Sequence, residues 1–175
     1  MKITRLEAYV LRAKTPERPH WTSHFIVPTA NEILVRLYTD EGIDGFGLAT
    51  SYTPIEFAIK AWKGGLADQI VGEDALAPER LYQKLFALTT SKVANEKGWS
   101  REALIRISAA VDIACWDIMG KAAGLPLYRL FGGHRDSVPA YVTCGYYREG
   151  KDHAELRDEV HMLLDQGHTG FKAKA

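Results

Sequence analysis

Ser100-Arg101-Glu102-Ala103-Leu104-Ile105-Arg106-Ile107-Ser108-Ala109-Ala110-Val111-Asp112-Ile113-Ala114-Cys115-Trp116-Asp117-Ile118-Met119-Gly120-Lys121-Ala122-Ala123-Gly124 is the stretch on which the fold of this chain turns. Ala103, Leu104, Ile107, Ala110, Val111, Ala114, Cys115 and Ile118 recur at spacings of three and four. That is the period of an amphipathic helix, and the stripe is wide enough to pack on a sheet. Ser100 is a good N-cap, Gly124 a good stop, and Pro126 cannot continue the helix. Asp117 and Lys121 stand four apart and read as a pair on the helix surface, with Asp112 another surface acid. Cys115, in the most apolar part, reads as a free buried thiol.

Upstream, a sheet for that helix can be read from the alternation. Residues 2–12 place Ile3, Leu6, Ala8 and Val10 among polar residues, a half-buried strand whose register is imperfect near Arg5–Leu6. Glu32–Thr39 is a second strand, Asp40-Glu41-Gly42 a turn, and Ile43–Thr50 a glycine-rich third, which together make an antiparallel meander. Between the first two strands, residues 13–30 lose all period and hold Pro16, Pro19 and Pro28, so they read as a long loop. Thr53-Pro54-Ile55-Glu56 has the form of a capping box, opening a helix that runs to about Ile70 with Gly64-Gly65 as a weak point. Pro78 starts another through Leu81, Leu85 and Leu88.

Downstream the pattern changes. Val138–Cys144 is rich in β-branched and aromatic residues, Asp152-His153-Ala154-Glu155 is a capping box for a helix ending at Gly167, and Gly170–Ala175 is an apolar strand carrying two lysines. Strand, helix and strand with a helical crossover predict parallel pairing. The chain is therefore expected to be α+β over residues 1–135, with residues 136–175 beginning an alternating β/α domain. A β/α barrel takes eight such units in roughly 250 residues, so the natural protein is expected to continue beyond Ala175.

Composition excludes several classes of partner. Of 175 residues, 22 are Lys or Arg and 22 Asp or Glu, so the formal net charge is zero and neither nucleic acid nor an anionic membrane is expected. The apolar runs are short, and the N-terminus lacks the apolar segment of a signal peptide. Two cysteines, Cys115 and Cys144, make no disulfide framework, and the cytoplasm is the expected compartment.

Lys172-Ala173-Lys174 is the most informative short motif. Residues two apart on a strand share a face, which in a barrel is the interior. Mutual repulsion and burial both favour the neutral amine, the form that acts as a general base. A solvated lysine pair at a chain end is the plainer reading of K-x-K taken alone. Context decides between the two. Ala109–Gly133, including Asp112-Ile113-Ala114-Cys115-Trp116-Asp117 and Gly124-Leu125-Pro126-Leu127-Tyr128-Arg129-Leu130-Phe131-Gly132-Gly133, resembles the signature segment of the mandelate racemase and muconate lactonizing enzyme family of the enolase superfamily. Glu41-Gly42-Ile43-Asp44-Gly45-Phe46-Gly47 resembles that family's E-G-x-x-G-x-G turn, and Gly167–Lys174 its second barrel strand. Cys115 stands where the family more often has leucine or alanine, a change of packing only.

The resemblance implies an enolase-like N-terminal capping domain followed by the first βαβ of the barrel. It implies abstraction of the proton alpha to a carboxylate, with Mg²⁺ clamping the enediolate. Lys174 is then the base and Lys172 its electrostatic neighbour. The metal ligands and the second base fall on later barrel strands, so no metal ligand is expected in these residues and the chain alone is expected to be inactive. The capping domain supplies specificity loops, which makes His20, Trp21, His24, Phe25, Ser51 and Tyr52 candidate substrate contacts. Tyr146 and Tyr147 follow the first barrel strand and are candidate substrate contacts, one or the other reaching the pocket at its C-terminal end, where such sites lie. The prolines around His20 and His24 argue against a helix and hence against a metal pair there. His153, His161 and His168 read as surface residues. A polar, histidine-bearing loop suits a hydroxylated substrate, so the expectation is dehydration of a sugar acid by a full-length homo-oligomer, with racemase, epimerase or cycloisomerase chemistry as the alternative. A non-catalytic binding or assembly fragment is the alternative from outside enzymology.

Overall fold

The computed structural model describes residues 1–14, 17–27, 31–51 and 56–174. In chain order they form β1 (Ile3–Arg12), β2 (His20–Trp21), β3 (Asn31–Thr39), β4 (Asp44–Ser51), α1 (Glu56–Lys63), a 3₁₀ turn (Leu66–Gln69), α2 (Pro78–Leu88), α3 (Lys92–Lys97), α4 (Arg101–Ala123), α5 (Leu127–Leu130), β5 (Val142–Cys144), β6 (Tyr147–Arg148), α6 (His153–Asp165) and β7 (Phe171–Ala173). No helix among the described residues is long and apolar enough to cross a membrane.

Two compact units emerge. The first comprises residues 1–13 and 30–134; the second, residues 14–29 and 135–175. In the first, β1, β3 and β4 make an antiparallel sheet in the order β1-β3-β4, and its register shifts between Ile3 and Arg5, beside the irregularity in the alternation. One face is buried and the other faces solvent, as antiparallel sheets allow. Ile33, Val35, Leu37 and Ala49 point inward onto α4, whose Leu104, Ile107, Val111, Ala114 and Ile118 are at most 1 % exposed. Burying each large side chain of this kind contributes about 1.5–3 kcal/mol.

β4 is an edge strand, and α4 satisfies its free edge with side chains. Asp117 Oδ2 accepts from the Phe46 N–H at 3.0 Å, Lys121 Nζ donates to the Asp44 carbonyl at 2.8 Å, and the Arg106 guanidinium donates to the Thr50 carbonyl. Asp117 and Lys121 also pair at 2.7 Å, the surface pair read from the sequence. Their further role is to close an edge that would otherwise recruit another strand. Burial pushes the Cys115 thiol up to about 12, with help from the Asp112 and Asp74 charges, so it is an inert packing residue.

Ser100 Oγ accepts from the Ala103 N–H at 3.1 Å and caps α4. Ser100→Ala is expected to cost about 1 kcal/mol, measurable as a lower midpoint in urea unfolding at unchanged slope. Gly124 closes the helix, as its position predicts. The helix from Thr53 breaks where Gly64-Gly65 weakens it: α1 stops at Lys63 and a separate 3₁₀ turn follows. Its predicted cap, Thr53-Pro54-Ile55, lies outside the described residues. α3, capped by Ser91, and α5 are short helices that periodicity does not reveal.

In the second unit, β5 and β7 pair in parallel around α6, capped by Asp152 through the Glu155 N–H at 2.9 Å. The strands are shorter than the apolar runs suggest, because backbone pairing between them covers only Val142–Cys144 and Phe171–Ala173. The loop after β1 is not structureless. β2 pairs antiparallel with β6, and the His20 carbonyl accepts from the Val27 N–H at 2.9 Å in a small hairpin.

Candidate active site

Lys174 directly follows β7, and its N–H donates to the Cys144 carbonyl at 3.2 Å, so the end of the parallel pair fixes its backbone. At the same end, β5 gives way to the turn Gly145-Tyr146-Tyr147. Gly145 has φ 72°, left-handed backbone that favours glycine, and a Cβ there would lie 3.3 Å from both the Ala173 Cβ and the Lys174 N. The turn therefore lies directly against the lysine-bearing strand. Together they open a cavity of about 480 Å³ lined by Trp21, Tyr146, Tyr147, Arg148, Lys151 and Lys174, among others.

One aromatic ring lies beside the lysine. Lys174 Nζ lies 5.3 Å from the centroid of the Tyr146 ring, within cation–π range. The His20 ring meets the same tyrosine edge-to-face at 5.1 Å. Trp21 is held beside Tyr147 by the β2–β6 pairing. Lys172, on β7 opposite Thr143, is exposed and is not among the residues lining this cavity. His24 and Phe25 sit at the exposed tip of the hairpin; His24 Nδ1 is 2.9 Å from Ser23 Oγ, and Phe25 is 56 % exposed. Ser51 ends β4 in the first unit, with its backbone paired to Asn31, and Tyr52 lies outside the described residues. His153, His161 and His168 are exposed, as read from the sequence.

The other cations around the cavity are already paired. Arg148 donates to Glu155 at 2.7 Å, Arg18 lies 3.9 Å from Glu155, and Lys151 forms an ion pair with Glu159. Among the described residues Lys172 and Lys174 have no acidic partner, and Lys174 faces the cavity. Lys174 is therefore an amine at the cavity that no acid among the described residues ties up. Burial raises the Glu159 carboxyl, but the hydrogen bonds from Lys151 and the Gly145 N–H, with the Lys151 and Arg148 charges, hold it below the usual carboxylate range on balance. Sequence reasoning missed Lys151 and Glu159, which carry no short-range motif: one precedes the α6 cap and the other lies two turns into the helix.

The family model for the N-terminal domain of mandelate racemase / muconate lactonizing enzyme matches residues 5–132. The chain belongs to this family. A D-galactonate dehydratase family member of Paenibacillus is 35% identical over 144 residues, covering 81% of this chain and 32% of that protein. The arabinonate dehydratase of Saccharolobus solfataricus is 33% identical over 142 residues, covering 81% and 36%. Among solved structures, a racemase from Streptomyces coelicolor with bound magnesium superposes with a TM-score of 0.80 at 26% identity, over 98% of this chain and 46% of that one. The chain thus spans about a third of the length of the curated relatives it matches. The first unit has the antiparallel sheet and helices of the family's capping domain.

Magnesium fits poorly to the residues at hand. The charged groups lining the cavity at Lys174 are mostly cations, and no group of three His, Cys, Asp or Glu side chains among the described residues is placed to hold a metal ion. No chemical step is assigned to a metal here.

Proposed function

We propose that this chain carries the base half of an active site that removes the proton alpha to a carboxylate, in a full-length enzyme that dehydrates a sugar acid. The observation that carries the reading is Lys174: it directly follows a parallel strand and lines an aromatic-walled cavity, beside cations that are paired with acids, and has no acidic partner among the described residues. In this role Lys174 takes the α-proton, Lys172 adds positive charge on the same strand, and Trp21, Tyr146 and Tyr147 present rings and hydroxyl groups to a polyhydroxylated chain. His20 backs the Tyr146 ring. His24, Phe25, Ser51 and Tyr52 remain proposed contacts of the capping loops. None of these residues would hold magnesium; ligands for it would have to come from elsewhere in the full-length enzyme, where the ion would supply positive charge. The dehydratase names of the matched relatives support loss of the β-hydroxyl as the next step. The cytoplasm is the compartment assigned, and domain boundaries near residue 135 remain the proposed division of the sequence.

The test is a panel of sugar acids offered to the full-length enzyme with magnesium in deuterated water. The expected result is a 2-keto-3-deoxy product, formed with loss of one water. Recovery of an epimerised acid with α-deuterium and no loss of water would move the assignment to racemase or epimerase chemistry. Absence of α-deuterium and of product with every acid would leave the binding-fragment reading as the better one.

A further inference from the structure

Lys151 is a cation whose side chain is only 6 % exposed. Its Nζ donates to the Tyr146 carbonyl at 3.1 Å and to the Glu159 carboxylate, and Glu159 in turn accepts from the Gly145 N–H at 3.4 Å. The pair therefore grips two backbone groups of the turn between β5 and β6, one through each charge. An ion pair that is largely withdrawn from solvent contributes little net stability over an apolar pair of equal volume, so the distinctive effect of this part-buried pair is on geometry. What this turn carries is the Tyr146 ring, whose face lies 5.3 Å from the Lys174 ammonium nitrogen. The turn also abuts the Lys174 backbone through Gly145.

We propose that Lys151 and Glu159 are positioning residues, which set the Gly145–Tyr147 turn so that the Tyr146 ring places the Lys174 Nζ at the cavity. The proposal rests on Lys174 being the base. Neither Lys151 nor Glu159 touches the reacting atoms; they act through the turn. Anchored through its own carbonyl and the Gly145 N–H, Tyr146 restricts where the Lys174 side chain can reach, and small displacements of a reacting group lower rates steeply.

The experiment compares Lys151→Met, Glu159→Leu and the double variant in the full-length enzyme, reading α-proton exchange and thermal stability together. Each single variant is expected to lose stability and to lower kcat for exchange on the order of ten-fold or more, with KM changed by less than about three-fold. The double variant is expected to regain stability, because a matched apolar pair replaces an ion pair, while kcat stays low. A kcat that recovers together with stability would show the pair to be structural only and overturn the proposal. Should the single variants fail to fold, the double variant and Tyr146→Leu, at a half-exposed position, carry the test; Tyr146→Leu is expected to show the same loss in kcat, and an unchanged kcat overturns the proposal. Lys174→Ala run in parallel separates the two ideas. If it leaves exchange intact, the base assignment fails; if it abolishes exchange while the double variant and Tyr146→Leu keep full kcat, only the positioning role fails.

Discussion

Lys174→Ala in the full-length enzyme is expected to stop exchange of the substrate's α-hydrogen with deuterated solvent on the lysine face, a fall of about 10²- to 10⁴-fold in the rate of proton transfer. The argument is positional. The neighbouring cations Arg18, Arg148 and Lys151 each face a glutamate, so a carboxylate entering the cavity gains little from them. Lys174 has an aromatic face beside it instead of an acid, so its nitrogen is not tied up in an ion pair and is open to the α-proton. Lys172→Met is expected to behave differently. Its side chain is exposed and outside the residues lining the cavity, so its proposed role is that of a charge at a distance, and its loss is expected to raise KM more than it lowers kcat. Exchange that persists undiminished in Lys174→Ala sinks the base assignment. Equal collapse of kcat in both variants would mean that the two amines act as one unit.

The periodic elements were legible because their signals are local. The stripe on α4, its serine cap and its glycine stop lie within one continuous stretch, and the sheet beneath it alternates with a period of two. The Arg5 irregularity was visible as a break in alternation and is a register shift in the structure. The second unit was legible in kind but not in extent: the parallel pair and its crossover helix are there, yet each strand holds three residues. The loop after β1 shows the limit of local reading. β2 is two residues long and owes its strand geometry to β6, more than a hundred residues away, so no window of sequence contains the pairing. Arg18 reinforces it by donating to the Glu149 carbonyl, another contact with no local signature. For the same reason the sequence offers Lys174, Trp21, Tyr146 and Tyr147 as candidates, since their side chains have chemistry of their own, and passes over Lys151 and Glu159, whose proposed role lies in what they hold.

Gly47→Ala is expected to be the most damaging small substitution in the first unit. A Cβ at Gly47 would stand 1.8 Å from the Ala110 carbonyl oxygen, and one at Gly45 2.2 Å from that of Ala114. Both obstacles are helix backbone, which cannot rotate aside as a side chain can. To admit one methyl group, α4 must lift off β4 by more than an ångström. That separates the Asp117, Lys121 and Arg106 contacts from the strand edge and opens the contact with Ile33, Val35 and Leu37. Overpacking of side chains costs about 1–3 kcal/mol, and a backbone clash of this depth is expected to cost about 3 kcal/mol or more. Gly42→Ala, in the same motif, is the internal control. Gly42 has φ 79° and nothing within 4 Å of its Cβ position, so its cost is left-handed backbone strain alone, about 1–2 kcal/mol. Urea unfolding of the two variants should therefore rank Gly47→Ala well below Gly42→Ala. The reverse order would mean that the glycines of Glu41-Gly42-Ile43-Asp44-Gly45-Phe46-Gly47 serve the turn, and that α4 does not approach the sheet this closely. The expected order assigns the motif two separate physical tasks: its first glycine turns the chain, and its last two let the helix lie directly on the strand.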